Sequence, residues 1–237
     1  MDFQFYLVMV SLALAAVASV WLQKLTAAAG ITGVITAMLI YLGCGITGLA
    51  MLAAFFIIGT TATSFKIKQK QHLKIAEENK GKRNAGQVLA NAGLAAGLGL
   101  VAWTFPQYSV VCSLLITAGF SSATADTLSS ELGNVYGKKY YNILSLRKDT
   151  RGLNGVISLE GTLCGFAGSV LIAVIYALGF GFHVRPSLMI IIAGTAGNLF
   201  DSLLGATIER KGIIGNNKVN FLNTLFAAVI ALLLNLI

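Results

Sequence analysis

Long apolar stretches, each about the length of a membrane crossing, alternate with short polar segments along almost the whole chain. Helices need about 20 apolar residues to cross the hydrocarbon core. By that measure the pattern predicts eight spans, at about 5–22, 25–42, 45–63, 86–104, 108–127, 158–180, 187–207 and 219–236. Residues 25–63 are continuously apolar and are interrupted only at Gly43-Cys44-Gly45, where a tight turn is expected. One long tilted helix through that point would give seven spans instead. The apolar N-terminus has no basic residue ahead of it and Lys24 behind it, so it reads as a retained first helix rather than a cleaved leader. The expected fold class is all-α, a polytopic transmembrane bundle forming one domain over 1–237.

Charge distribution orients this drawing. The chain has 17 Lys and Arg residues. With the N-terminus outside, Lys24 and the loops 64–85, 128–157 and 208–218 carry one, seven, five and three of them, leaving only Arg185 on the other side. The excess of Lys and Arg on cytoplasmic loops then places those loops in the cytosol and both termini outside. A seven-span drawing would put the first basic loop opposite the others.

Composition agrees: hydrophobic residues make up 56%, charged residues 11%, and mean hydropathy is +0.79. Soluble domains carry about 25% charged residues. The net charge of +8 suits anionic lipid headgroups. Nucleic acid is a poor partner, because no aromatic platform is interleaved with the basic residues. Cys44, Cys112 and Cys164 are isolated in apolar stretches, and no Cys/His spacing suggests zinc or a disulfide. His72 and His183 read as ordinary loop residues. The lack of an Arg/Ser-rich transit segment favours a prokaryotic plasma membrane.

Against this background the acidic residues matter. A carboxylate at the centre of an apolar span costs about 2.5–3.5 kcal/mol on insertion scales, so it marks function by default. Asp126 and Glu131 lie in SSATADTLSSELG, Glu160 in SLEGTLCG, and Asp201 and Glu209 in GNLFDSLLGATIER. Asp126 and Glu131 do not align on one ideal helix, so their convergence requires the helix to end or unwind near Ser129. Asn198 and Asp201 share a small, polar helix face with Gly194, Gly197 and Gly205. Around them come phosphate-neutralising candidates Lys82, Arg83 and Arg151, and amides at Asn84, Asn91, Asn220 and Asn223. Asn84 is also placed to cap a helix. Mg²⁺ would suit such a site, since it takes one or two carboxylates, keeps waters and binds substrate phosphates. There is no G-x-x-x-x-G-K-[ST] and no G-x-S-x-G, so any nucleotide site is of another kind.

The ordered motifs KGKRNAGQVLANAG, SSATADTLSSELG, TRGLNGVISLEGTLCG, GNLFDSLLGATIERKG and NNKVNFLNT together resemble the membrane family that contains the plant phytyl-phosphate kinases of tocopherol synthesis. The resemblance runs from about residue 64 to the C-terminus. It implies transfer of a nucleotide γ-phosphate, with CTP favoured, to an isoprenyl monophosphate. The family's motifs include Asn84, Asn91, Asp126, Glu131, Asp201, Asn220 and Asn223. On this reading Asp126, Asp201 and Glu131 are the catalytic and Mg²⁺-holding residues. Lys82, Arg83, Asn84, Asn91, Arg151, Asn198, Asn220 and Asn223 bind nucleotide and phosphate. Family members commonly carry an acidic residue where this chain has NNKVN, which weakens a metal role for that segment. Two other classes fit the same residues: a cation-coupled transporter or lipid-translocating protein, and a cytidylyltransferase acting on a lipid phosphate. Chain length of the lipid, nucleotide and oligomeric state are open.

Overall fold

Small residues dominate the apolar stretches, and they let helices approach closely where lipid offers no hydrophobic drive for association. The result, in a computed structural model describing residues 3–75 and 81–237, is a helical bundle. Its helices are α1 (Phe3–Trp21), α2 (Ala27–Ser64), α3 (Ile67–His72), α4 (Ala85–Thr104), α5 (Ser109–Tyr136), α6 (Leu159–Phe180), α7 (Val184–Leu204) and α8 (Asn216–Leu236). A π-helical turn, Gly205–Glu209, extends α7. Among the described residues, seven helices are long and apolar enough to cross a membrane.

The longest of the seven doubles back. At about 1.5 Å per residue, a straight α2 of 38 residues would measure about 57 Å, nearly twice the hydrocarbon thickness. Instead Gly45 breaks it with φ 60° and ψ −152°, a backbone state essentially reserved for glycine. A Cβ built on Gly48 would lie 2.8 Å from Cγ2 of Ile40, eight residues back. At the far ends of the two arms, Lys24 Nζ donates to Ser64 Oγ at 3.0 Å. Its two arms are each about long enough to cross a membrane, giving eight such arms among the described residues, with the turn within the expected Gly-Cys-Gly. Gly43 seats this hairpin on α4, because a Cβ there would stand 2.5 Å from the Gly99 carbonyl oxygen.

The helix starts are set by local capping. Thr26 Oγ1 accepts from the Ala29 amide at 3.1 Å, and Ser158 Oγ accepts from the Gly161 amide at 3.1 Å. Asn84 and Gln87 form a reciprocal capping box on α4. Each such cap is worth about 1 kcal/mol.

Helix α5 is the axis of the bundle and packs against α2, α4, α6, α7 and α8. Its most apolar stretch is 72% buried, against 6% for the peripheral α1. Glycines on its neighbours allow this: a Cβ on Gly194 would collide with Ser121 Oγ, and one on Gly197 with Ser122 Oγ. Contrary to the expected break near Ser129, α5 stays helical to Tyr136. The polar stretch that follows includes a two-residue antiparallel pair, β1 (Tyr141–Asn142) with β2 (Val156–Ile157).

Candidate functional site

The end of the bundle marked by Lys24, Ser64 and Arg83 holds a polar cavity of about 180 Å³. It is lined from α4 by Gln87 and Asn91, from α5 by Asp126, Thr127, Ser129 and Ser130, and from α7 by Asn198, Asp201 and Ser202. Glu209 on the π-helical turn, Asn216 and Asn220 on α8, and the 152–158 segment complete the wall. Polar residues at one end of four otherwise apolar helices thus meet in one place.

Asp126 and Asp201 are its centre, with carboxyl groups within hydrogen-bonding reach of each other. Two full charges about 4 Å apart repel by about 4 kcal/mol at an effective dielectric of about 20, which makes the space around such a pair favourable for a cation. Asp201 is held from behind: Asn223 Nδ2 donates to its Oδ1 at 3.1 Å, while Asn223 Oδ1 accepts from Ser122 Oγ. Asn223 is buried, so it orients the carboxylate rather than lining the cavity. Glu209 is near enough for its charge to interact with that of Asp201.

Glu131 does not join them. Because α5 continues unbroken, five residues turn the side chain by about 140° from Asp126. Glu131 is instead buried against Lys70 of α3, whose Nζ also donates to the carbonyl oxygens of Ala62 at 2.8 Å and Thr63 at 3.3 Å. Among the described residues, no three His, Cys, Asp or Glu side chains gather as a metal-binding group.

The remaining candidates divide. Asn91, Asn198, Asn220 and Arg83 line the cavity, and the Arg83 guanidinium also lies 4.9 Å above the Phe55 ring. Asn84 spends its side chain on the α4 cap. Lys82 points elsewhere and donates to Gln23 Oε1 at 2.7 Å. Arg151 sits behind the wall, its guanidinium 5.7 Å over the ring of Tyr140, a lining residue. Its Nε and Nη2 are buried with no hydrogen-bond partner among the described residues. Burial pushes the Tyr140 phenol above its ordinary value, with Arg151 opposing and Glu160 adding to the rise. Its hydroxyl donates toward the Gly133 and Gly137 carbonyls, at 3.0 and 2.9 Å.

Sequence reasoning missed several lining residues: Gln87, Ser129, Tyr140, Asn154, Ser202 and Asn216. The π-helical turn has no sequence signature, although such turns recur at functional sites. Asn154 is positioned by a clamp in which Arg210 Nε donates to its carbonyl at 2.7 Å and Arg210 Nη2 to Asp149 Oδ2 at 2.9 Å. The Thr150 amide, then Arg210 and Asn142, hold the Asp149 carboxyl below its usual range.

The sequence that builds this polar site, with its carboxylate pair and surrounding asparagines, matches a known family. Residues 9–228 match the integral membrane protein family DUF92. The chain belongs to that family. Proteins similar to it include protein VTE6, chloroplastic, of Arabidopsis thaliana, 31% identical over 80% of this chain and 59% of the relative. An uncharacterised membrane protein of Synechocystis is 33% identical over 82% of this chain and 76% of its own. Another, from Methanocaldococcus jannaschii, is 32% identical over 81% and 77%. The match therefore covers under two thirds of VTE6. No solved structure matches the chain.

Proposed function

We propose that this DUF92 protein is a Mg²⁺-dependent kinase that transfers the γ-phosphate of a nucleoside triphosphate, CTP by preference, to an isoprenyl monophosphate. The observation that carries this reading is the Asp126–Asp201 pair in a polar cavity at the basic end of the bundle. Similarity to VTE6, in the family resembling the plant phytyl-phosphate kinases, supports the substrate class.

The donor set fits Mg²⁺: two carboxylates, neighbouring hydroxyls and amide oxygens are hard oxygen ligands, with room for waters and phosphates. Bound there, the ion would neutralise the polyphosphate charge and hold the β- and γ-phosphates in line. Asp126 and Asp201 would hold it, and Asn223 fixes the orientation of Asp201. Arg83 and Asn91 face the same space and would bind phosphate oxygens. Arg151, behind the wall against Tyr140, would contribute its positive charge to the phosphate site without lining it. In the transfer, a terminal oxygen of the lipid phosphate attacks the γ-phosphorus, the bond to the β–γ bridging oxygen breaks, and the nucleoside diphosphate leaves. The acceptor phosphate is already ionised, so no general base is required and the absence of a cavity histidine is consistent.

By the positive-inside rule we assign the basic face to the cytosolic side of the membrane. The test uses purified protein with Mg²⁺, a C20 isoprenyl monophosphate, and CTP or ATP, with products resolved by mass spectrometry. An isoprenyl diphosphate that disappears with Asp126→Asn is expected. A cytidylylated lipid, or no product from folded protein at any chain length, would overturn the kinase.

A further inference from the structure

A second concavity lies on the other side of the α4–α8 seam. It is a predominantly apolar groove of about 580 Å³ lined by Gly86, Leu89, Ala90 and Gly93 of α4, and by Asn217, Lys218, Phe221 and Leu222 of α8, with Ile214. Leu89 is 50% and Phe221 39% exposed, so the groove opens outward to the lipid. Its floor is not a helix-packing surface: a Cβ on Gly93 would meet nothing within 3.9 Å, and then only Leu89 of its own helix.

The same two helices wall the carboxylate cavity with their adjacent faces. Gln87 and Asn91 on α4, and Asn216 and Asn220 on α8, face the cavity, while Ala90 and Gly93, and Asn217 and Phe221, face the groove. Near the polar end of the seam, Asn217 Nδ2 stands 2.8 Å from the position of a Cβ on Gly86. That is a movable side chain against a residue without one. Among the described residues, the charged side chain lining the groove is Lys218, at the basic end. A groove apolar along its length, with one cation and one amide at the end nearest the acids, complements a linear hydrocarbon that ends in an anion.

We propose that this groove seats the hydrocarbon chain of the phosphorylated lipid. Lys218 receives its headgroup, which reaches Asp126 and Asp201 past Gly86 and Asn217. The proposal rests on the isoprenyl-phosphate reading above and adds where the lipid binds and by which route it enters. Chain-length preference then resides in Leu89, Gly93, Phe221 and Leu222, away from the phosphate chemistry.

The test is photolabelling of the intact protein in nanodiscs by a C20 isoprenyl monophosphate with a diazirine at the tail end, the adducts being mapped by mass spectrometry. Adducts concentrated on 89–93 and 221–222 are expected. Excess unlabelled isoprenyl monophosphate should compete with them, the unphosphorylated alcohol should not, and Gly93→Phe should reduce them at least tenfold. Lys218→Gln should raise KM for the lipid several-fold with kcat little changed. Adducts spread over the lipid-facing α1 and α6 without competition would identify bulk lipid sampling and overturn the groove. So would labelling indifferent to Gly93→Phe in a protein that elutes as a folded species. Competed labelling at the groove with no diphosphate product keeps the binding site and rejects the kinase. Product formation with adducts mapped elsewhere keeps the kinase and rejects the groove.

Discussion

Asp126 and Glu131 sit five residues apart on one unbroken helix, yet they do opposite things. Glu131 is closed off in an ion pair with Lys70, whose ammonium group is also held by two backbone carbonyls. Asp126 faces another carboxyl group in a cavity lined by amides and hydroxyls. A buried charge with its partner supplied by the chain is a structural element that fixes α3 against α2 and α5. A pair of like charges brought together by the fold gains stability when a cation is added. The second arrangement is the one to associate with a substrate or an ion, and the difference should be measurable.

The largest expected effect is on activity. Asp126→Asn or Asp201→Asn should lower turnover by about a hundredfold or more, as loss of a group that organises transition-state charge does. Elution volume and thermal midpoint in detergent should stay close to those of the parent protein. An active, unstable Asp126→Asn protein would reverse the assignment.

Glu131 should behave the other way. Lys70→Met leaves its carboxylate buried without a partner and is expected to cost about 3–5 kcal/mol, read as a lowered thermal midpoint. The double variant Lys70→Met with Glu131→Leu should recover most of that loss and retain substantial activity. Failure of the double variant to regain activity once folded would give Glu131 a chemical role after all.

A smaller effect separates orientation from chemistry. Asn223→Ala removes the donor to Asp201 and should reduce kcat by about tenfold, the equivalent of about 1.4 kcal/mol. KM for either substrate should change little. Asn223→Asp, which places a third carboxylate beside the pair, should be worse than alanine.

The smallest effect belongs to the rim. The Asp149 carboxyl is held below its ordinary value in the fold, so its contribution is fully present above the unfolded value of about 4 and is lost as pH falls through the lowered one. Pepsin should therefore cut the 143–153 segment faster as pH drops below about 4. Arg210→Ala should expose that segment to cleavage at higher pH than in the parent.

The parts of this molecule that sequence disclosed are those written in short-range pattern. Apolar length disclosed the helices long enough to cross a membrane, and Gly43-Cys44-Gly45 disclosed the turn within α2. Asp126 and Asp201 were visible because a carboxylate in an apolar span is costly wherever it falls. What stayed hidden depends on distance along the chain. Lys70 lies 61 residues from Glu131, in a six-residue helix within a basic loop, and nothing local distinguishes it from the lysines around it. The expected break near Ser129 failed because Gly133 serves a different purpose there. It lets α6 approach, with a built Cβ standing 2.9 Å from Gly161 Cα. Asn84 and Lys82 looked like ligands by composition, but local capping and a contact to Gln23 already use them.

The turn at Gly45 has a consequence beyond the shape of one helix. A chain that crosses a bilayer an even number of times returns to the side it left, and this chain's parity depends on one residue with positive φ. If a branched side chain at 45 straightened the hairpin into a single tilted span, every later segment would change sides. The acids, the asparagines and the cavity would keep their mutual geometry yet face the other compartment, cut off from any nucleotide in the first. One glycine thus acts as the molecule's compass.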